Sequence, residues 1–168
     1  EWLLFDVDGV LTDGRLWYTA EGEELKAFHV RDGLALKLAR RAGLGVGIFT
    51  GRQSRPLERR AEDLGLDERI LGSQDKGADF DAFLERRHTT ADKVAFVGDD
   101  LIDLPVLGRC GLALCPADAV PEVRSSVHRV LGTAGGHGVA REVIEVVLGA
   151  RGEWRPLVAS YRVDPRGE

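Results

Sequence analysis

Residues 3–14 read LLFDVDGVLTDG, and this stretch decides the fold class of the chain. Its apolar run predicts a buried strand that ends where Asp6 and Asp8 begin. A carboxylate that abuts an apolar strand is costly unless a partner compensates its charge. The stretch therefore predicts a buried strand whose carboxyl end opens into a charged site.

Short apolar runs alternate with amphipathic helical patterns along the rest of the chain. Most of the strands are apolar on both faces, as parallel strands between two helix layers must be. The alternation predicts an α/β fold with a doubly wound parallel sheet, whose ligand site lies outside the carboxyl ends of the strands. Strands are predicted at residues 2–7, 44–49, 70–71, 94–97 and 112–114, and helices at residues 33–42, 55–64, 76–87, 103–109 and 139–148.

One segment interrupts this alternation and another follows it. Two β-prone runs, residues 16–20 and 25–30, predict a hairpin inserted after the first strand, which would lie as a flap over the strand ends. The length of 168 residues predicts one domain, residues 1–150, with the flap at about 15–30. Residues 151–168 are predicted to be a C-terminal tail. Termini often fray, but this tail carries apolar residues that would dock on the same subunit or on a neighbour.

Composition narrows the function classes. The net charge of -5 and the pI near 5.5 argue against a nucleic-acid partner or an anionic membrane. No apolar run reaches the roughly 18 residues of a membrane span. Cys110 and Cys115 form neither a CxxC pair nor a zinc half-site, as in a protein with reduced thiols. These features predict a cytoplasmic protein with a small-molecule substrate.

Polar or charged residues follow the predicted strands at the points where the strands end. Because the carboxyl ends of parallel strands meet at one edge of a sheet, these residues are expected to converge. Two carboxylates about 4 Å apart repel by roughly 4 kcal/mol at an effective dielectric near 20, so a cation is required. An all-oxygen set without clustered Cys or His favours Mg²⁺. The converging residues are Asp6, Asp8, Thr50, Gly51, Arg52, Lys76, Asp99 and Asp100.

Several residues also have ordinary structural explanations. Thr50 could be a turn hydroxyl and Lys76 a solvated lysine on a helix. Asp103 could cap the helix that it precedes, and Asp13 could shape the turn into the hairpin. Taken together, however, a carboxylate nucleophile, a hydroxyl, a lysine and Mg²⁺ suit attack on a phosphate monoester, whose negative oxygens must be neutralised.

Four motifs resemble, in the same order, those of the haloacid dehalogenase-like (HAD) phosphatases. They are DVDGVLTDG, the strand-end TGR, the isolated Lys76 and GDDLID. A closer resemblance, covering residue 3 to about residue 148, is to the phosphatases of 3-deoxy-D-manno-octulosonate 8-phosphate (KDO 8-phosphate) and their relatives acting on nonulosonate 9-phosphates. It rests on GEELKAFHVRDG at 22–33, TGR at 50–52, VGDDLIDLPVL at 97–107 and AGGHGVARE at 134–142.

The resemblance implies a role for each matching residue. Asp6 would be the nucleophile that forms an aspartyl-phosphate, and Asp8 the general acid and then the general base. The Asp6 carboxylate, the Asp8 backbone carbonyl and Asp99 would hold Mg²⁺. Thr50 and Lys76 would bind the transferring phosphoryl group. Asp103 would orient Lys76 or a metal-bound water, with the helix cap as the alternative.

The resemblance also implies an assembly and a substrate class. The subfamily lacks a large cap domain, and it typically forms homotetramers in which the hairpin and tail of one subunit help to close a neighbour's site. Arg52 favours a phosphorylated sugar acid as substrate. The family usually carries Arg or Lys at the position of His137, where a permanent cation could hold the sugar carboxylate, whereas a histidine is mostly neutral at pH 7.

Two other function classes compete with this interpretation. A signalling receiver domain also combines an acidic cluster, a Thr and a Lys, but its acceptor aspartate lies on a middle strand, whereas here the DxD comes first. A non-catalytic regulatory domain on the HAD fold is the other alternative, because fold alone does not fix function. Every core catalytic position of the family is filled in this chain, which favours an enzyme.

Overall fold

The computed structural model describes residues 1–162, which form a six-stranded parallel sheet between two helical layers and a separate two-stranded hairpin. The strands are β1 (Trp2–Phe5), β2 (Trp17–Tyr18), β3 (Glu24–Leu25), β4 (Gly45–Phe49), β5 (Glu68–Ile70), β6 (Val94–Val97), β7 (Leu112–Cys115) and β8 (Arg129–Val130). The α-helices are α1 (Val30–Arg41), α2 (Arg55–Leu64), α3 (Lys76–Arg86), α4 (Leu104–Leu107), α5 (Pro121–Arg124), α6 (Val139–Ala150) and α7 (Trp154–Ala159).

The order of strands in the sheet is β5-β4-β1-β6-β7-β8, so β1 lies at the centre between β4 and β6. Side chains of β1 alternate between two cores, as they must on a pleated strand. Leu3 and Phe5 pack with α1, α2 and α6 on one face, and Leu4 packs with α3 and α4 on the other. The predicted doubly wound α/β fold is confirmed.

The hairpin between β1 and α1 is small, and residues 1–162 contain no large cap domain. Strands β2 and β3 pair antiparallel, with Trp17 opposite Leu25 and Tyr18 opposite Glu24. The second predicted run was too long, because the strand ends at Leu25 and α1 already begins at Val30. The Nδ1 of His29 accepts a hydrogen bond from the Arg31 amide at 3.2 Å, which caps that helix.

The boundaries of two other elements differ from the predictions for local reasons. Strand β1 stops at Phe5 because the chain turns after Val7, whose carbonyl accepts hydrogen bonds from the amides of Leu11 and Thr12. The helix predicted at 103–109 is shorter, since a 3₁₀ turn at Leu101–Asp103 precedes α4. Strand β8 and helix α5 were not predicted, because elements of two and four residues carry too little periodicity.

The first part of the tail packs on its own subunit. Helix α7 lies against α6, with Trp154 and Leu157 partly buried against the core. The guanidinium of Arg141 sits 4.7 Å from the centre of the Trp154 ring. The remainder of the predicted tail, residues 163–168, lies outside the described residues. None of the helices described is long and apolar enough to cross a membrane.

Candidate active site

The predicted site residues lie at the carboxyl edge of the sheet. Asp6 directly follows the central strand β1, and its amide still donates to the Val97 carbonyl of β6 at 2.8 Å. Thr50 directly follows β4 and is almost fully buried, and its hydroxyl accepts a hydrogen bond from the Arg52 amide at 3.2 Å. Strands β4 and β6, the two neighbours of β1, thus end beside Asp6, because parallel strands all end at the same edge of the sheet.

Lys76 is the cation at the centre of this edge. Its side chain is 2% exposed, and its Nζ lies 2.9 Å from Asp6 and 2.5 Å from Asp103. The same Nζ lies 5.6 Å from the ring centre of Phe49 and 5.7 Å from that of Phe96. Burial alone would lower the pKa of Lys76, but the two carboxylates more than offset this and raise it above its usual value. A solvated helix lysine, the alternative explanation, is wrong.

Asp103 orients Lys76 and does not cap α4 with its side chain. Its Oδ1 accepts from Lys76, and its Oδ2 accepts from the backbone amides of Asp99 at 2.9 Å and Asp100 at 3.3 Å. The carboxylate of Asp100 accepts from the Leu101 amide at 2.7 Å, so these two aspartates cap the 3₁₀ turn reciprocally. The helix-cap alternative for Asp103 is therefore wrong, and its carboxylate connects the GDD turn to Lys76.

Three carboxylates converge beside Lys76 and could hold a metal ion. Asp6, Asp99 and Asp103 each offer an oxygen, and these oxygens lie within 4.8 Å of one another. Burial, followed by the charge of Asp103, raises the pKa of Asp6 to about 7 although Lys76 opposes this. Burial and the charges of Asp6, Asp103 and Asp100 raise the pKa of Asp99 to about 8. A divalent cation would relieve this repulsion.

Asp99 supplies the strongest sign that the cluster fits a cation. Its Oδ1 is buried and has no hydrogen-bond partner among the described residues. Gly9 adopts a φ of 91°, and a Cβ at this position would lie 2.1 Å from the Asp99 carboxylate, so the DVDG loop passes against this side chain. A hard ion with oxygen ligands suits such an orphaned oxygen. The side chain of Asp8, in contrast, is not part of this cluster.

Asp8 instead faces the hairpin. Its Oδ1 forms an ion pair with Lys26, and its Oδ2 lies 3.7 Å from the Nε of Arg52. Arg52 also reaches the hairpin, with its Nη2 3.2 Å from the Tyr18 hydroxyl and 3.5 Å from the Glu24 carboxylate. Sequence reasoning missed these hairpin residues. The alternation in GEELKAF, which places Glu24 and Lys26 on one face of a strand, was the signal that could have found them.

The segment 134–138 lies against the DVDG loop. The Gly136 amide donates to the Val10 carbonyl at 3.0 Å, and a Cβ at Gly135 would lie 2.1 Å from the Gly9 carbonyl oxygen. His137 is exposed, and its Nδ1 lies 2.6 Å from the Gly135 carbonyl. The structure thus brings this segment to the edge of the site, with the His137 ring held by its own loop.

Two further predicted residues occupy the surrounding turns. Gly51 follows Thr50 where the chain passes close to a neighbouring loop, and a Cβ there would lie 3.3 Å from the Ser73 carbonyl oxygen. The carboxylate of Asp13 accepts from the Arg15 amide at 3.1 Å, so this residue shapes the turn into the hairpin as predicted.

Comparison with known proteins identifies the family. No protein-family model matches the chain. A KDO 8-phosphate phosphatase of Haemophilus influenzae is 42% identical over 153 residues, covering 91% of this chain and 85% of the relative. The chain belongs to this phosphatase family. The phosphatase is therefore a phosphoric monoester hydrolase, which confirms the predicted enzyme class.

Solved structures agree with this assignment. A Moraxella catarrhalis KDO 8-phosphate phosphatase, solved with magnesium, phosphate and KDO, has a TM-score of 0.93 at 33% identity and covers 96% of this chain and 92% of its own. A HAD superfamily (subfamily III A) hydrolase of Legionella pneumophila has a TM-score of 0.91 at 36% identity and covers 95% and 88%. With the acidic cluster, the first of these confirms the predicted Mg²⁺ cofactor.

Proposed function

We propose that this phosphatase hydrolyses KDO 8-phosphate, a phosphorylated sugar acid, through an aspartyl-phosphate on Asp6. The observation that carries the proposal is the position of Asp6, which is buried 2.9 Å from the ammonium of Lys76 and offers an oxygen within 4.8 Å of a carboxylate oxygen of Asp99. A buried carboxylate next to a fixed cation and a cation site is suited to attack a phosphorus atom whose oxygens are neutralised on both sides.

In the first step, a carboxylate oxygen of Asp6 forms a bond to phosphorus, and the bond between phosphorus and the sugar oxygen breaks. The electron pair of that bond stays on the sugar oxygen, which takes a proton from Asp8 and leaves as an alcohol. In the second step, Asp8 accepts a proton from a water molecule that attacks the same phosphorus atom. Inorganic phosphate leaves and Asp6 returns to its carboxylate form.

The remaining residues neutralise the phosphoryl oxygens and hold the cofactor. Lys76 and the hydroxyl of Thr50 donate to these oxygens, and Asp103 holds Lys76 in place. Asp6, Asp99 and the backbone carbonyl of Asp8 would hold Mg²⁺, which when bound neutralises negative charge on the phosphoryl group.

The sugar acid would extend from the phosphoryl group toward the hairpin. Arg52 lies at this position, 42% exposed in its side chain, and supplies a planar cation that suits a carboxylate. Gly51, which lets the chain turn between Thr50 and Arg52, and His137, on the segment against the DVDG loop, belong to the same substrate-binding rim. The activity named for the relatives supports the choice of KDO 8-phosphate as substrate.

We also propose a cytoplasmic homotetramer with the outer face of the hairpin in the interface. Trp17 and Leu25 are cross-strand neighbours on that face, and they are 57% and 53% exposed. Paired large apolar side chains on a surface hairpin favour burial against another subunit. Size-exclusion chromatography with light scattering tests this, and Trp17→Ser with Leu25→Ser should lower the mass.

A substrate panel with a trapped intermediate tests the reaction itself. The purified protein with Mg²⁺ should hydrolyse KDO 8-phosphate faster than nonulosonate 9-phosphates and hexose phosphates. Asp6→Asn should lower kcat by at least about 1,000-fold and abolish acid-stable labelling by ³²P-substrate in rapid-quench experiments. Asp13→Asn, a change in the same motif outside the cluster, is the matched control. Preference for a nonulosonate 9-phosphate would overturn the substrate, and labelling of Asp6→Asn would overturn the nucleophile.

A further inference from the structure

The two faces of the hairpin differ in chemistry. Trp17 and Leu25 are exposed on the outer face, whereas the buried side chains of Glu24 and Lys26 point inward to the active site. Tyr18, opposite Glu24, is itself 58% exposed, and its hydroxyl contacts Arg52. This follows from the alternation of side chains along an extended strand. A hairpin that only covered the site could present apolar residues inward, so its charged inner face needs a separate explanation.

Lys26 is the most buried charge on this face. Its side chain is 1% exposed, and its Nζ contacts the carboxylates of both Asp8 and Glu24, the second at 2.9 Å. Burying an ammonium group is costly unless it is paired, and two carboxylates compensate it here. Glu24 also lies 3.5 Å from Arg52, so the cation on each side of Asp8 is held by the same hairpin carboxylate.

The two oxygens of Asp8 have different surroundings. Oδ1 accepts from Lys26, with the Thr12 hydroxyl 3.5 Å away. Oδ2 is buried and finds no hydrogen-bond partner within residues 1–162, and the Nε of Arg52 lies 3.7 Å from it. An ammonium group has three donors and no acceptor, so an Oδ1 that faces it is an acceptor. The oxygen left to carry a transferable proton is therefore Oδ2.

We propose that Lys26 is a positioning residue for the phosphatase reaction, which holds Asp8 by Oδ1 so that Oδ2 faces the leaving oxygen of the substrate. The inference rests on the proposed function, because it assumes that Asp8 is the general acid. The hairpin then contributes to catalysis within its own subunit, and Glu24 acts by holding Lys26. Without Lys26, Asp8 would keep only the longer contacts of Oδ1 with the Thr12 hydroxyl at 3.5 Å and of Oδ2 with Arg52 at 3.7 Å, and it would be held less firmly. Proton transfer needs the acid within hydrogen-bond reach.

Two substrates with different leaving groups distinguish a positioning role of Lys26 from a merely structural one. A sugar alkoxide needs a proton as it leaves, whereas 4-nitrophenolate leaves without one. The quantity to measure is kcat/KM, because it covers the steps up to departure of the leaving group and excludes hydrolysis of the intermediate. Lys26→Met should lower kcat/KM for the sugar phosphate by at least about 100-fold and leave that for p-nitrophenyl phosphate almost unchanged.

Three variants complete the experiment. Lys26→Arg, which keeps a donor for Oδ1, should recover part of the activity on the sugar phosphate. Lys37→Met, a change of an exposed lysine on α1, should leave both substrates unaffected. Glu24→Gln should also lower kcat/KM more for the sugar phosphate than for p-nitrophenyl phosphate, but by less than Lys26→Met. It therefore tests the inference even if Lys26→Met does not fold.

Asp8→Asn distinguishes failure of this inference from failure of the proposed function. It should show the same difference between the two substrates as Lys26→Met. If Asp8→Asn shows the difference and Lys26→Met lowers kcat/KM equally for both substrates, Lys26 does not position the acid and the inference is overturned. If Asp8→Asn also affects both substrates equally, Asp8 is not the general acid and the proposed function is overturned.

Discussion

The ammonium nitrogen of Lys76 lies 2.9 Å from the Oδ1 of Asp6, although 70 positions separate the two residues in the sequence. Both side chains are almost fully buried, at 2% and 6% exposed. A pair of this kind is stabilising only while both partners are present, because either charge left alone in the interior is costly. Both the stability of this edge of the sheet and the reaction proposed there therefore depend on the contact between Lys76 and Asp6.

Replacement of Lys76 should affect both activity and stability. Lys76→Met leaves Asp6 and Asp103 buried without their shared cation, so we expect loss of detectable turnover and a free energy of unfolding lower by about 3 kcal/mol. Urea denaturation and a phosphate-release assay measure the two effects. The matched control is Lys37→Met, an exposed lysine on α1, which should change the free energy of unfolding by less than about 0.5 kcal/mol.

Removal of the Asp99 carboxylate should stabilise the metal-free protein. The pKa of Asp99 is raised to about 8, so at pH 7 the folded state disfavours its charged form, and Asp99→Asn removes that cost. We expect a gain of about 1–3 kcal/mol at pH 7 that shrinks toward pH 4, where the unfolded chain also protonates the group.

The same variant should lose its response to magnesium. Saturating Mg²⁺ should raise the melting temperature of the wild type, because a ligand that binds only the folded state stabilises it. Asp99→Asn should show little of this increase, whereas Asp100→Asn, an exposed neighbour whose amide oxygen can still cap Leu101, should retain it. An equal increase for Asp99→Asn and the wild type would remove Asp99 from the metal site.

A methyl group at Gly135 should disturb the site through its backbone. The added Cβ would lie 2.1 Å from the Gly9 carbonyl oxygen, so segment 134–138 must move away from the DVDG loop. Gly135→Ala should lower the free energy of unfolding by about 1–3 kcal/mol and also reduce kcat/KM. Gly149→Ala adds the same methyl group in open space on α6, and it should stabilise the protein slightly. Equal effects at the two glycines would contradict the close approach.

The Arg40 and Asp67 pair should make stability depend on pH in the acid range. Burial would raise the pKa of Asp67, but hydrogen bonds from Arg40 at 2.8 and 2.9 Å and from the Val46 amide at 3.1 Å lower it. A lowered pKa in the folded state means a contribution that is present above about pH 4 and is lost as pH falls through the folded value.

Asp67→Asn should therefore lower the free energy of unfolding at pH 7 by about 1 kcal/mol, and the difference from the wild type should shrink below pH 4. Urea denaturation at a series of pH values measures this. Asp63→Asn is the control, since its pair with Arg59 on α2 is exposed. A difference that persists unchanged at pH 3 would show that the Asp67 carboxylate is not the source.

Much of the candidate site could be predicted from the sequence for one physical reason. Apolar runs predict parallel strands, and the carboxyl ends of such strands share one edge, so Asp6, Thr50 and Asp99 had to converge whatever the loops did. Lys76 joined them because it begins the helix after β5, at the same edge. The need for a cation followed from the repulsion of converging carboxylates, which depends only on their proximity.

The tertiary structure alone decided where the side chains of the turns point. Whether Asp103 caps α4 or holds Lys76 depends on a contact across 27 positions, which no local pattern encodes. The alternation in GEELKAF places Glu24 and Lys26 on one face of a strand but does not decide which way that face points, so the inward position of Lys26 depended on how the hairpin folds back over Asp8. The sequence by itself determined the sheet and the charges at its edge, because these follow from hydrophobic pattern and strand direction. Only packing in three dimensions determined which charge pairs with which, because a buried ion pair forms wherever two distant segments place their side chains within a few ångströms.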